Sequence, residues 1–77
     1  MVIVPPIMKE SIANNVQILR TKQSMTQEEL AAAVGVSRQT IIAIEKGNYT
    51  PSVLLALKIA AVFKQPTEKI FTITYEK

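Results

Sequence analysis

Thr26-Gln27-Glu28-Glu29 runs straight into Leu30-Ala31-Ala32-Ala33-Val34 and then Gly35, and this segment leaves the backbone little choice. The Thr26 hydroxyl is placed to accept from the amide of Glu29, while the Glu29 carboxylate reaches back to the amide of Thr26, a capping box. Met25 before the cap and Leu30 after it are spaced as a hydrophobic staple. The run that follows favours helix throughout, and Gly35 takes the left-handed conformation that stops one. Only Val36 separates Gly35 from a second cap, Ser37. A further helix is therefore expected from Arg38 to about Lys46, with Ile41 and Ile44 as its inward stripe and Val36 stapled to Ile41. Gly47-Asn48 ends it.

Around this pair the chain reads as more short helices. Ile12, Val16 and Leu19 fall at helical spacing with polar residues between them. They predict a first helix that starts at Ser11 or Asn14, Asn14 being the preferred cap, and ends near Gln23. Thr50-Pro51 opens a fourth helix, since proline in the first helical position loses no hydrogen bond. Leu54, Leu55, Leu57, Ile59, Ala60, Val62 and Phe63 make that helix apolar around much of its circumference, hence central. Gln65-Pro66 begins a last short turn through Ile70. Beyond it Phe71, Ile73 and Tyr75 alternate with Thr72, Thr74 and Glu76, the period of a strand. Val2-Ile3-Val4 is also rich in strand formers. A lone strand is not stable, so pairing is expected between the chain ends, between subunits, or both. The expected division is an N-terminal extension over 1–10, a helical domain over 11–71 and a strand or tail over 72–77.

Composition narrows the functional classes. The 77 residues include no Cys, His, Trp or Asp, and that length fits one domain without a separate effector-binding unit. A chain this short buries only about 60% of its unfolded surface. With neither disulfides nor a Cys/His zinc site available, the fold must rest on helix packing and self-association. General bases are most often His, and nucleophiles often Cys or a His-activated Ser. The carboxylates are Glu10, Glu28, Glu29, Glu45, Glu68 and Glu76 alone. No enzyme, metal or cofactor is expected. A net charge of +3 and a pI near 9.5 lean mildly toward an anionic partner. The opening Met1–Met8 segment is apolar but short, broken by Pro5 and Pro6, and lacks the features of a signal peptide. A soluble, cytoplasmic protein with no membrane association is the expectation.

Two short helices joined by a tight glycine-containing turn form a helix-turn-helix, whose second helix enters the DNA major groove. With Ile41 and Ile44 turned inward, the alanines at 31–33 allow a close approach of the two helices, and Arg38, Gln39 and Thr40 remain outward at the start of the second. Arg bonds guanine O6 and N7 together, Gln bonds adenine N6 and N7, and Thr meets a thymine methyl or a phosphate.

The ordered set Gln27-Glu28-Glu29-Leu30-Ala31, Gly35-Val36-Ser37-Arg38-Gln39-Thr40-Ile41, Ile44-Glu45-Lys46-Gly47, Pro51-Ser52 and Leu57-Lys58-Ile59-Ala60 resembles the Cro/C1-type helix-turn-helix family over roughly residues 14–71. The resemblance is strongest to its short stand-alone regulators. It implies an all-α, five-helix, lambda-repressor-like DNA-binding domain with a small terminal β element, acting on double-stranded DNA as a homodimer over an inverted-repeat operator.

By position, the resemblance assigns base contact to Arg38, Gln39, Thr40, Ile42 and Ala43. Ile42 departs from the family, which usually has a polar residue there, and either packs on thymine methyls or sugar or is simply an exposed apolar residue. Ala43 offers at most an apolar contact. Phosphate contact falls to Gln27, Ser37, Lys46, Asn48 and Tyr49. Arg20 and Glu45 match a structural ion pair linking the first helix to the third. A mean hydropathy of +0.21 is high for a small soluble monomer, and the expected dimer interface is Leu55, Phe63, Phe71, Ile73 and Tyr75. The family also includes antitoxins, whose main business is a protein partner, and restriction–modification controller proteins.

Overall fold

A computed structural model describes residues 9–76. The elements run β1 (Lys9–Asn14), α1 (Val16–Lys22), α2 (Gln27–Val34), α3 (Arg38–Glu45), α4 (Val53–Phe63), α5 (Thr67–Ile70) and β2 (Phe71–Glu76). Among the described residues the fold is mostly helical, with five helices and one two-stranded sheet, close to the expected class. Val2–Val4 lie outside the described residues.

Helix α2 forms as its residues dictate. Thr26 Oγ1 accepts from Glu29 N at 3.0 Å, and Glu29 Oε1 accepts from Thr26 N at 2.8 Å, closing the capping box. Ser37 caps α3 through the amide of Thr40, and Ser52 caps α4 through that of Leu55. The fourth helix therefore begins at Val53, two residues later than its proline predicts. Pro51 precedes a serine whose hydroxyl satisfies a free amide, which proline at the first position does not.

The four longer helices end alike. Each passes into a left-handed residue, namely Ser24 (φ 54°), Gly35 (φ 75°), Gly47 (φ 78°) and Lys64 (φ 54°). The next amide then returns to the carbonyl five residues back. The bonds are Met25 to Arg20 (3.0 Å), Val36 to Ala31 (3.0 Å), Asn48 to Ala43 (2.9 Å) and Gln65 to Ala60 (3.1 Å), the hydrogen bond of a Schellman motif. Glycine marks two of these four stops, and only those two were legible as such.

The first helix departs from expectation. Residues Ser11 to Asn14 are not helical; they belong to β1, which pairs antiparallel with β2 in the register Ser11↔Thr74, Ile12↔Ile73 and Asn14↔Phe71. Backbone hydrogen bonds supplied by a segment some sixty residues away outweigh the local helical spacing, the usual way tertiary context overrides propensity. The chain ends do pair with each other, and the N-terminal member is 9–14. Asn15 is the cap position of α1, without a side-chain cap bond. Its amide donates to Ile70 O at 2.9 Å and its Nδ2 to Lys69 O at 3.1 Å, tying the start of α1 to the end of α5.

Val16, Leu30, Ile41, Ile44, Ile59 and Ile70 are almost wholly buried, one from each of α1, α2, α4 and α5 and two from α3. Each such side chain contributes about 2 kcal/mol by burial. Helix α4 is central, giving Leu55, Ile59, Ala60 and Phe63 to this core. Leu55 (6% exposed) and Phe63 (3% exposed) are thus core residues, not the interface residues expected above. Phe71 is half-buried against the same core. The other side of α4 is uncovered, with Val53, Leu54 and Leu57 at 77, 64 and 54% exposure. Of the three alanines in α2 only Ala31 is buried; Ala32 and Ala33 face solvent, so a single small residue serves the close approach. Among the described residues no helix is long and apolar enough to cross a membrane.

Candidate nucleic-acid interface

Helix α2 packs against α3 and α4, and α1 against α3. Ile41 and Ile44, at 0 and 1% exposure, pin α3 to the core. That anchoring decides what the helix shows outward. Arg38 and Gln39 are exposed in its first turn, Thr40 is half-buried, and Lys46 is exposed at its end. Ile42 and Ala43 are half-buried, so Ile42 is not the fully exposed residue that its sequence position suggests.

The turn between the helices is built by Gly35 and Ser37. Ser37 Oγ accepts from the Thr40 amide at 3.3 Å and lies 3.1 Å from Thr40 Oγ1. Both hydroxyls are thereby engaged with one another at the start of α3. A shallow cleft of about 250 Å³ opens beside Thr40, with Tyr49, Leu54 and Lys58 on its walls. Lys58 is an exposed cation beside the start of α3 that sequence reasoning passed over. Its signal was present, since it is the lone charge in the apolar run of α4.

After α3 the amides of Gly47 and Asn48 are occupied by the carbonyls of Ile44 (3.0 Å) and Ala43 (2.9 Å). These two amides are not free to donate elsewhere, whereas the side chains of Lys46, Asn48 and Tyr49 are all exposed.

Arg20 and Glu45 meet across α1 and α3. Arg20 Nε donates to Glu45 Oε2 at 2.7 Å and Nη2 to Oε1 at 3.2 Å, a two-point contact. Nη1 donates to the Met25 carbonyl at 2.8 Å. The side chains are 11 and 4% exposed, and no buried side-chain polar atom among the described residues lacks a partner. The hydrogen bond to Glu45 raises the Arg20 pKa above its ordinary value, with burial opposing and the Glu45 charge adding to the rise. Gln27 joins this network, its Nε2 donating to Glu45 Oε1 at 3.0 Å. It is neither a freely solvated residue nor an unrestrained side chain.

The helix-turn-helix family model matches residues 16–70. An uncharacterized HTH-type transcriptional regulator of Bacillus subtilis, YgzD, is 49% identical over 63 residues, covering 82% of this chain and 96% of its own. An uncharacterized HTH-type transcriptional regulator of Methanocaldococcus jannaschii is 55% identical over 58 residues, covering 75% of this chain and 88% of its own. Among solved structures, the restriction-modification controller protein C.AhdI from Aeromonas hydrophila superposes with a TM-score of 0.67 at 27% identity, covering 71% of this chain and 83% of that one. The chain belongs to the helix-turn-helix family.

Proposed function

We propose that the protein is a sequence-specific DNA-binding regulator of transcription that acts as a homodimer on an inverted-repeat operator. The observation that carries the reading is the division of α3. Ile41 and Ile44 are fixed in the core while Arg38 and Gln39 stand exposed at the helix start, where a major-groove helix meets base edges. Arg38, Gln39 and Thr40 read bases, with Ile42 and Ala43 adding apolar contact. Gln27, Ser37, Lys46, Asn48 and Tyr49 contact phosphate and set register. The names of the relatives agree with a regulator of transcription.

The dimer uses the uncovered side of α4. Val53, Leu54 and Leu57 follow helical spacing on one face and are all more than half exposed. Ile73 and Tyr75 remain candidates, at 54 and 37% exposure. Likeness to a controller protein supports a second reading, regulation of a restriction–modification operon, which the identity of the neighbouring genes tests.

Selection from random duplex DNA, at one fixed near-physiological salt concentration, tests the main reading. The expected result is an enriched inverted repeat with half-site centres about 10 base pairs apart. Enrichment of a single half-site overturns the symmetric dimer. No enrichment above non-specific binding overturns sequence reading and favours an antitoxin-like role with a protein partner.

A further inference from the structure

The Glu45 carboxylate serves two side chains at once. Its Oε1 accepts from Arg20 Nη2 at 3.2 Å and from Gln27 Nε2 at 3.0 Å, while Oε2 holds Arg20 Nε at 2.7 Å. The Met25 carbonyl takes Arg20 Nη1 at 2.8 Å, so the guanidinium cannot turn away. An ionised carboxylate only accepts, so it selects which end of the Gln27 amide turns toward it, and that end is the nitrogen. One N–H of Gln27 is thereby committed. The second N–H is the donor left for a phosphate oxygen, and the carbonyl end has no part in such a contact.

We infer that Glu45, beyond its ion pair with Arg20, is a positioning residue for DNA binding: it holds the Gln27 carboxamide with the second N–H ready for the phosphate backbone. The inference rests on the reading that Gln27 touches phosphate. A carboxylate so near an anion's path would ordinarily repel it. The two-point Arg20 contact offsets that charge and holds the carboxylate in place. Gln is among the side chains that lose most rotamer freedom when fixed. Holding it before docking removes that loss from the binding step. The arrangement also links the first residue of α2 to the last residue of α3 by a direct bond, so the backbone contact and the base-reading helix keep one relative position.

A double-mutant cycle tests this. Glu45→Gln keeps the size of the side chain but can present either an amide or a carbonyl to Gln27; Gln27→Ala removes the contact. Affinity for the duplex enriched in the selection is measured for wild type, both single variants and the double, with urea stability measured alongside. Gln27→Ala is expected to weaken binding about tenfold, the loss of one hydrogen bond to a charged group. Glu45→Gln is expected to weaken it several-fold when Gln27 is present and to leave it unchanged in the Gln27→Ala background, although stability falls in both. Equal weakening in both backgrounds, or none with Gln27 present, overturns the positioning role while leaving the Gln27 contact standing. No effect of Gln27→Ala overturns the contact itself and the inference with it. If Glu45→Gln does not fold, Glu45→Asp, which keeps the charge beside Arg20 but shortens the reach to Gln27, takes its place in the cycle with the same expected outcomes.

Discussion

Asn14 Nδ2 donates to the carbonyl of Ile44 at 2.8 Å, joining the last residue of β1 to the last turn of α3. The other end of the same amide, Oδ1, accepts from Val16 N at 3.1 Å. One side chain therefore ends the strand, supports the first turn of α1 and steadies the helix proposed to read DNA. Asn14→Ala is expected to lower stability by about 1–2 kcal/mol, in line with loss of a capping asparagine and a part-buried hydrogen bond. Urea unfolding with an unchanged m-value measures it, and an unshifted midpoint would contradict the role.

The left-handed helix stops predict a pair of opposite effects. Lys64 and Ser24 take φ 54° with side chains that disfavour it, so Lys64→Gly is expected to raise stability by up to about 1 kcal/mol. Gly35→Ala is expected to lower it by about 1–2 kcal/mol. A Cβ at Gly35 would meet nothing within 4 Å, so that cost is backbone strain without a clash. Thermal unfolding of the two variants gives both signs.

Acid should loosen the start of α2. Hydrogen bonding from the Thr26 backbone, and then from its side chain, holds the Glu29 carboxyl below the usual carboxylate range, with desolvation opposing. A folded-state value below the unfolded one of about 4.3 means that the contribution is complete above the unfolded value. It is lost as pH falls through the folded one. Glu29→Gln keeps a capping acceptor but cannot titrate. The stability difference between wild type and this variant should shrink on acidification below about pH 4.3 and stay flat above about pH 6. Denaturant midpoints across that range provide the check.

Variants at two positions proposed to meet DNA should fail in different ways. Gln39→Ala is expected to relax discrimination at one base pair by about 1–3 kcal/mol and leave the fold intact. Lys46→Ala should weaken binding to all sequences alike and reduce the salt slope by about one unit. Affinity titrations at several salt concentrations, on the enriched site and single-base variants, separate them. An unchanged sequence preference removes Gln39 from the readout.

Leu57 is 54% exposed on α4. Leu57→Glu should leave the protomer folded and shift a dimer toward monomer, by placing a charge in an apolar contact. Sedimentation equilibrium reads the mass, and a monomeric wild type would reject the interface outright.

What the sequence made legible follows the distance over which each cause acts. The capping box at Thr26 and Glu29, the stop at Gly35 and the start at Ser37 are settled within four residues, and all stand where local chemistry puts them. The start of α1 was not legible, because residues 9–14 take their hydrogen bonds from 71–76 and no local pattern announces a partner so far away. Leu55 and Leu54 are neighbours of identical chemistry, yet one is 6% and the other 64% exposed. Hydropathy alone could not assign one to core and the other to surface, since that depends on how α4 is rotated against α2. In the candidate site, the exposure of Arg38 and Gln39 was legible from the spacing of Ile41 and Ile44. The bond from Gln27 to Glu45 was not, because it depends on where α3 ends in space relative to the start of α2.

The strand pair also sets an order of events. Ser11 and Thr74 touch at 2.7 Å across 63 positions of chain, whereas most helix contacts join near neighbours, and closing so long a loop carries an entropic cost that short ones escape. A ribosome delivers the chain from its N-terminus, so the residues of the four longer helices emerge before β2 does. Through that interval β1 has an open edge, and Asn15 awaits the Ile70 carbonyl. On a crowded polysome such an edge is available to the β2 of a neighbouring nascent chain, the route to a swapped pair. The arrival of residues 71–76 closes that window, and with it the choice between pairing within one chain and pairing between two.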